Sequence, residues 1–357
     1  MHTALFALLR AGLWEQPIEE LALFPLSAEE WTQLLKEARR QTVTGIVYRG
    51  IGLLPEALMP PMQILLPWVA EADRIERNNR QANAALAALL QRLEQHGLHP
   101  IVMKGQGVAA MYEAPLCREC GDIDLYFYVE ERKKAAEVVR AAGMACEVHA
   151  DGSLCYTFQG VAIEHHAVMV DIATPAKKRY ADDLTIIWRG EQLEGDDTGR
   201  PAMRVPIPTL NLLMQNAHVM KHAVGAGVGL RQLCDIARTY YKVQDKIKLA
   251  QLREVYAEAG MERWSRLLHA YLVKYIGLPE TLQPYEDLDS EETAPLEAII
   301  EEGGNFGQHH THHNTELRGW RRKGQTLRAF WRRRGFAWRY ARKEAWWMVL
   351  RLAVGNI

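Results

Sequence analysis

At residue 98 the spacing of apolar residues changes, and with it the kind of structure the chain can build. Upstream, apolar side chains recur every three or four residues, the period of a helix face. Downstream they alternate or run in short blocks bounded by Gly and Pro, the texture of strands. In the upstream part, "SAEEWTQLLKEARR" opens with Ser27 and Glu30 in capping-box spacing, which predicts a helix start. "WVAEADRIERNNRQANAALAALLQRLEQHG" predicts a long amphipathic helix closed at Gly97 by a left-handed cap. Past residue 98, "LHPIVMKG" predicts a strand, "GQGVAAMYE" a short helix ending before Pro115, and "DIDLYFYV" a second strand. "EERKKAAEVVRAAG" predicts a helix closed by Gly143. "MACEVH", "SLCYTFQG" and "VAIEHHAVMVDIA" predict further strands, with a turn near Gly160. "RGEQLEGDDTGRPAMRVPIP" reads as a Gly/Pro/Asp-rich connection. "TLNLLMQNAHVMKHAV" and "LRQLCDIARTYYKV" then predict helices joined by "GAGVG". More helices follow to the end, with an interruption at "EEGGNFGQHHTHHNTE". The expectation is an α+β fold: a helical region at 1–83, an α/β core with a mixed sheet at 84–205, and a helical domain at 206–357.

A length of 357 residues leaves room for two domains and a small third element. The 43 Lys and Arg against 44 Asp and Glu give a net charge of −1, so no global field points to nucleic acid or membrane. No apolar run is long enough to span a bilayer, and the N-terminus does not read as a signal peptide, so no membrane partner is expected. Five scattered cysteines without a framework predict a reducing cytoplasm.

The chemistry gathers in "MKGQGVAAMYEAPLCRECGDIDLYFYV". On a strand, Asp122 and Asp124 share one side while Ile123 and Leu125 face the core. Neighbouring carboxylates repel, and one pKa rises, unless a cation lies between them. Their hard oxygens suit Mg²⁺ or Mn²⁺ holding nucleotide phosphates; the bland reading leaves them solvated at a strand end. Upstream, Lys104 and Gly105 end a strand just before a helix. Backbone amides, the helix dipole and a lysine charge together make a phosphate cradle there. In "VAIEHH", Glu164 and His166 share one face, and Glu164 is the candidate third carboxylate, as a metal ligand or as acceptor of a hydroxyl proton. A salt bridge is the alternative for Glu164.

Asn211, Gln215, His218 and His222 draw a polar stripe along one helix, read as lining a nucleotide or acceptor cleft or else as an exposed face. Arg231 and Asp235 stand one helical turn apart, an ordinary ion-pair spacing. Cys117 and Cys120 lack a second pair for a structural zinc site, and "HHTHH" at 309–313 reads as a loop. From 317 to 343 there are eleven Arg or Lys and no acid, with Trp320, Trp331 and Trp338 interleaved. This fits RNA, or a helix that turns its tryptophans inward and pairs its arginines with acids such as those at 286–292; the second reading is favoured.

"IVMKGQGVAAMY…CRECGDIDLYFYV", "VAIEHH" and "AHVMKH…GLRQLCDIA" together resemble the bacterial nucleotidyltransferases of the polymerase-β superfamily. Among these the segment at 84–240 is most similar to the branch described as uncharacterised nucleotidyltransferase, with Lys104-Gly105 where the superfamily more often has Gly-Ser or Gly-Gly. The resemblance implies a polymerase-β-like core and two-metal transfer of a nucleoside monophosphate from an NTP to a hydroxyl, releasing pyrophosphate. It implies catalytic and metal roles for Asp122, Asp124 and Glu164, and nucleotide contacts for Lys104, Gly105, Arg118, His218, His222, Arg231 and Asp235. The cofactor it implies is Mg²⁺ or Mn²⁺. The acceptor is left open among small molecule, protein and RNA. Two rivals stand beside it: an Asp-x-Asp glycosyltransferase, and a non-catalytic nucleotide- or RNA-binding protein on the same fold.

Overall fold

A computed structural model describes residues 3–149, 151–225, 227–288, 291–304 and 330–354. The "HHTHH" run, and most of the basic stretch before residue 330, lie outside the described residues. Four helices come first: α1 (Thr3–Trp14), α2 (Ala28–Arg40), α3 (Thr44–Ile51) and α4 (Met62–Glu94). The capping box forms as expected, with the Glu30 amide donating to Ser27 Oγ (3.2 Å) and the Ser27 amide to Glu30 Oε2 (2.8 Å). Helix α4 is longer than its sequence pattern predicts, because Pro67 lies inside it rather than before it. A proline near the start of a helix removes one backbone bond, and upstream Ile64 and Leu65 still pack on the core. At the other end Gly97, at φ 66°, closes the helix.

The chain then alternates: β1 (Ile101–Val102), α5 (Gln106–Ala109), β2 (Asp122–Tyr126), α6 (Val129–Ala141), β3 (Glu147–Val148), β4 (Leu154–Phe158), β5 (Val161–His166), α7 (Pro175–Ile187), β6 (Glu191–Leu193) and β7 (Met203–Val205). The strands form one mixed sheet in the order β3-β4-β5-β2-β1-β7-β6. β2 lies parallel to β5, and β1 parallel to β7; the other pairings are antiparallel. Strands β6 and β7 fall inside the stretch expected as a connection. Each has three residues, too short for an alternation to stand out against the Asp- and Gly-rich turn between them.

One sheet face carries Ile123, Leu125 and Ile163 onto Leu86 and Leu89 of α4 and Val139 of α6. The opposite face looks toward α8 (Pro208–Val224) and α9 (Leu230–Val243). A second core joins α8, α9, α10 (Leu249–Glu258) and α11 (Glu262–Tyr271) to the N-terminal helices, so both ends of the chain close over one apolar centre. Helix α4 passes through residue 83 and serves both cores, with Trp68 in one and Leu86 in the other. After α12 (Ala294–Gly303), helices α13 (Arg334–Tyr340) and α14 (Arg342–Val354) return to the body. Glu344 accepts from the amides of Ala173 and Thr174, and Arg351 donates to the Ile172 carbonyl (3.0 Å). The tail thereby holds the loop that follows β5. No helix among the described residues is long and apolar enough to cross a membrane.

Candidate active site

The parallel pairing of β2 with β5 sets Asp122 opposite Ala162, Asp124 opposite Glu164 and Tyr126 opposite His166. Strand alternation then puts Asp122, Asp124, Glu164 and His166 on the face away from the sheet core. All four line a cavity of about 450 Å³. Asp124 is only 4% exposed, whereas Asp122 is open to solvent at the strand start. His166 bridges the acids: Nε2 meets Asp124 Oδ1, and Nδ1 lies 3.6 Å from Glu164 Oε1. Donor atoms of Asp124, Glu164 and His166 lie within 4.8 Å of one another, and among the described residues this is the one such group able to hold a metal ion.

A cation does lie beside the paired acids. Lys104 Nζ is 3.2 Å from Asp124 Oδ1. Burial by itself raises the Asp124 carboxyl, but Lys104 and His166 override it and hold the group well below the usual carboxylate range. Asp122 moves the other way, raised by desolvation in the cavity and by the charge of Asp124. The pair is therefore split into one firmly ionised acid and one weaker acid.

The lysine–glycine turn before β2 is built from backbone constraint. Gly105 has φ 55°, and a Cβ there would stand 2.7 Å from the Asp122 carbonyl oxygen. Only glycine allows β1, α5 and the start of β2 to approach so closely. The helix that follows is one turn long, so its dipole is small, and positive charge at this corner comes mainly from Lys104.

Helices α8 and α9 form the facing wall. His218 and His222 line the cavity with ring centroids 4.5 Å apart. Burial, reinforced for His218 by Lys104 and for His222 by Lys221, pushes both imidazoles down, His222 to about 3. They stand as neutral hydrogen-bonding groups. The stripe to which they belong is not an exposed face: Asn211 is buried, and Gln215 Nε2 donates to Asn211 Oδ1 and Thr239 Oγ1, both at 2.9 Å. Gln215 is among the lining residues, and its Oε1 is buried without a hydrogen-bond partner.

The expected turn-spaced pairing of Arg231 with Asp235 gives way to a longer-range one. Asp235 binds Arg118 through two 2.7 Å contacts and accepts from Tyr112 Oη at 2.7 Å, whereas Arg231 donates to the Glu119 carbonyl (2.7 Å). Buried Arg118 braces the loop that delivers β2, and a planar guanidinium matched to a carboxylate suits that task. All five cysteines are free; burial pushes the Cys117 and Cys120 thiols up, away from the reactive thiolate.

The cavity thus gathers Lys104, Gly105, Arg118, Asp122, Asp124, Glu164, His218, His222, Arg231 and Asp235 on one wall or another. Sequence reasoning did not single out His166 as a partner of the acids. The signal was its place two residues past Glu164, on the same strand face. Nor did it foresee Lys104 on Asp124, which depends on the bend at Gly105.

An α+β chain with acids on the open face of its sheet and cations around them is suited to a metal-bound, phosphate-bearing substrate. A family model described as uncharacterised nucleotidyltransferase matches residues 27–277, and the chain belongs to that family. No curated protein and no solved structure matches the chain.

Proposed function

We propose that the protein transfers a nucleoside monophosphate from a nucleoside triphosphate to a hydroxyl acceptor, releasing pyrophosphate. The observation that carries this reading is the register of Asp124 against Glu164 on parallel strands, with His166 completing the donor set inside a cavity that Lys104 and Arg231 also line. Two carboxylates and an imidazole fit Mg²⁺ or Mn²⁺, and the imidazole favours Mn²⁺. A divalent ion held here supplies charge neutralisation for the triphosphate and acidifies the acceptor hydroxyl.

Asp122 and Asp124 would be the ligands on β2, and Glu164 and His166 would complete the set from β5. Glu164, more open than Asp124 and His166, is also placed to take the hydroxyl proton. Lys104 and Arg231 balance phosphate charge, and Gly105 lets the backbone come close to it. His218 and His222 offer neutral hydrogen bonds. Arg118 and Asp235 keep the β2 loop in place. In the reaction the acceptor oxygen bonds to the α-phosphorus, the α–β bridging P–O bond breaks, and pyrophosphate leaves with that electron pair. Five cysteines without a disulfide accord with a cytoplasmic setting.

The test is incubation with each α-labelled NTP, Mg²⁺ or Mn²⁺ and a cell lysate, beside an Asp122→Ala/Asp124→Ala variant. Label should enter an acceptor with matching pyrophosphate release, and the variant should do neither. Label that persists in the variant refutes the assigned site, and consumption of a sugar nucleotide instead points to glycosyl transfer. The 3.2 Å contact of Lys104 with Asp124 also favours a second reading, in which the lysine permanently replaces the metal and the protein only binds nucleotide. Metal-independent NTP binding without pyrophosphate release would establish it.

A further inference from the structure

The chain's tail carries a surface that the transfer chemistry does not use. Between 330 and 351 every exposed side chain is a tryptophan, an arginine or a lysine. Trp331, Trp338 and Trp346 are 58%, 52% and 59% exposed, and they are the exposed tryptophans among the described residues. This reverses the expectation of inward-turned rings for Trp331 and Trp338; Trp346 is a further exposed ring, and Trp320 lies outside the described residues. The inward positions belong to Phe336, edge-on to Trp264, and to buried Ala337, Tyr340 and Ala345. Part of the expected internal pairing does exist, since Arg339 meets Glu292 at 3.2 Å, but the rings remain in water.

The surface includes a groove of about 460 Å³. Trp338, Arg339, Arg342 and Lys343 stand on one side, Lys177 of α7 and Arg263 of α11 on the other, over a small apolar floor. The Arg342 guanidinium lies 6.0 Å from the Trp338 ring centroid. Two acids line it, Glu262 and Glu344, and the Glu344 carboxylate is turned onto the amides of residues 173 and 174. A flat π face beside clustered cations matches a polymer with bases and phosphates in alternation. A concave groove of this volume admits a nucleotide, whereas a membrane-lying helix needs a convex apolar stripe. The groove and the cavity share one loop: Thr174 lines the groove and Asp171 the cavity.

We propose that this groove docks a single-stranded nucleic acid whose terminal ribose hydroxyl is the acceptor. A base stacks on Trp338, and phosphates meet Arg342, Lys343 and Arg263. The step rests on the nucleotidyl-transfer reading: the ribose oxygen joins the α-phosphorus, pyrophosphate departs, and the hydroxyl proton passes to a cavity carboxylate.

The experiment is fluorescence anisotropy of the full chain with labelled RNA and DNA strands of about 16 nucleotides, the upper site size known for a single-strand-binding OB-fold. Trp338→Ala should weaken binding by about fivefold or more, with Trp338→Phe restoring most of it. Arg342→Ala/Lys343→Ala should lower the slope of log affinity against log salt by about one and a half. RNA-only binding identifies the 2′-hydroxyl as a recognised group, and equal binding of both strands assigns recognition to base and phosphate. No binding, binding indifferent to residue 338, or capture by anionic lipid vesicles in place of oligonucleotides overturns the proposal. Transfer of label to a non-nucleic acid while strands fail to bind sinks the docking site alone. Strand binding that depends on Trp338, with no pyrophosphate release under any condition, sinks the transfer reading alone.

Discussion

Asp124 is where residue-scale physics is most concentrated. Its carboxyl is buried, yet Lys104 and His166 keep it ionised. Asp124→Asn preserves shape and removes the charge. Nucleotidyl transfer should fall by roughly a thousandfold, the consequence of losing several kcal/mol of charge stabilisation. Single-turnover kinetics checks this, and a variant with near-normal rate would disprove the role. Gly105 is the other residue whose identity is imposed. Gly105→Ala adds a Cβ 2.7 Å from a backbone oxygen at a positive φ. It should destabilise the fold by about 1–2 kcal/mol and disturb the start of β2. Urea denaturation measures the first effect, and the loss of NTP affinity reports the second.

At the scale of elements, the pairing of β2 with β5 was partly legible. The alternation in "DIDLYFYV" and "VAIEHH" fixes which side chains share a face, because strand geometry is local. That the two strands are neighbours, and parallel, is not local, and neither is the use of Asp235 by Arg118 from a distant loop. The contact of α14 with the β5–α7 loop is of the same kind. Glu344 receives two amides and the Thr174 hydroxyl there. Glu344→Gln should cost about 1–3 kcal/mol, as expected for hydrogen bonds to a charged group, and raise the KM for NTP more than it lowers kcat. Faster amide hydrogen exchange at residues 173 and 174 is the expected local sign; unchanged exchange there would refute the anchoring role.

For the whole molecule, the core shared by both ends of the chain predicts a pH response. His269 is fully buried; Nδ1 donates to the Ser265 carbonyl (2.6 Å) and Nε2 accepts from Tyr240 Oη (2.7 Å). Burial pushes its pKa down from 6.5 to about 4. The unfolded chain thus binds a proton that the native state refuses between those values. Stability is fully present above about pH 6.5 and is lost as pH falls toward 4, by about 3 kcal/mol for this group alone. His165 and His222, each held near 3 by burial, act in the same direction. Urea midpoints measured from pH 7 to 4 should fall steadily, and His269→Gln should flatten part of that slope while lowering the plateau. A flat profile in the unaltered chain would contradict the buried neutral state.

Sequence alone determined what is set by near neighbours. The Ser27 cap, the helix stop at Gly97, the shared face of Asp122 and Asp124 and the shared face of Glu164 and His166 all follow from side chains a few residues apart. Tertiary structure decided what depends on chain folding back on itself. It set Lys104 against Asp124, gave Asp235 to Arg118, drew β7 beside β1, and left three tryptophans in water where amphipathic logic would bury them. The reason is physical: local patterns fix backbone direction and facing. Which charges meet, and which rings stay uncovered, depends on contacts between segments that the chain brings together only when the cores close.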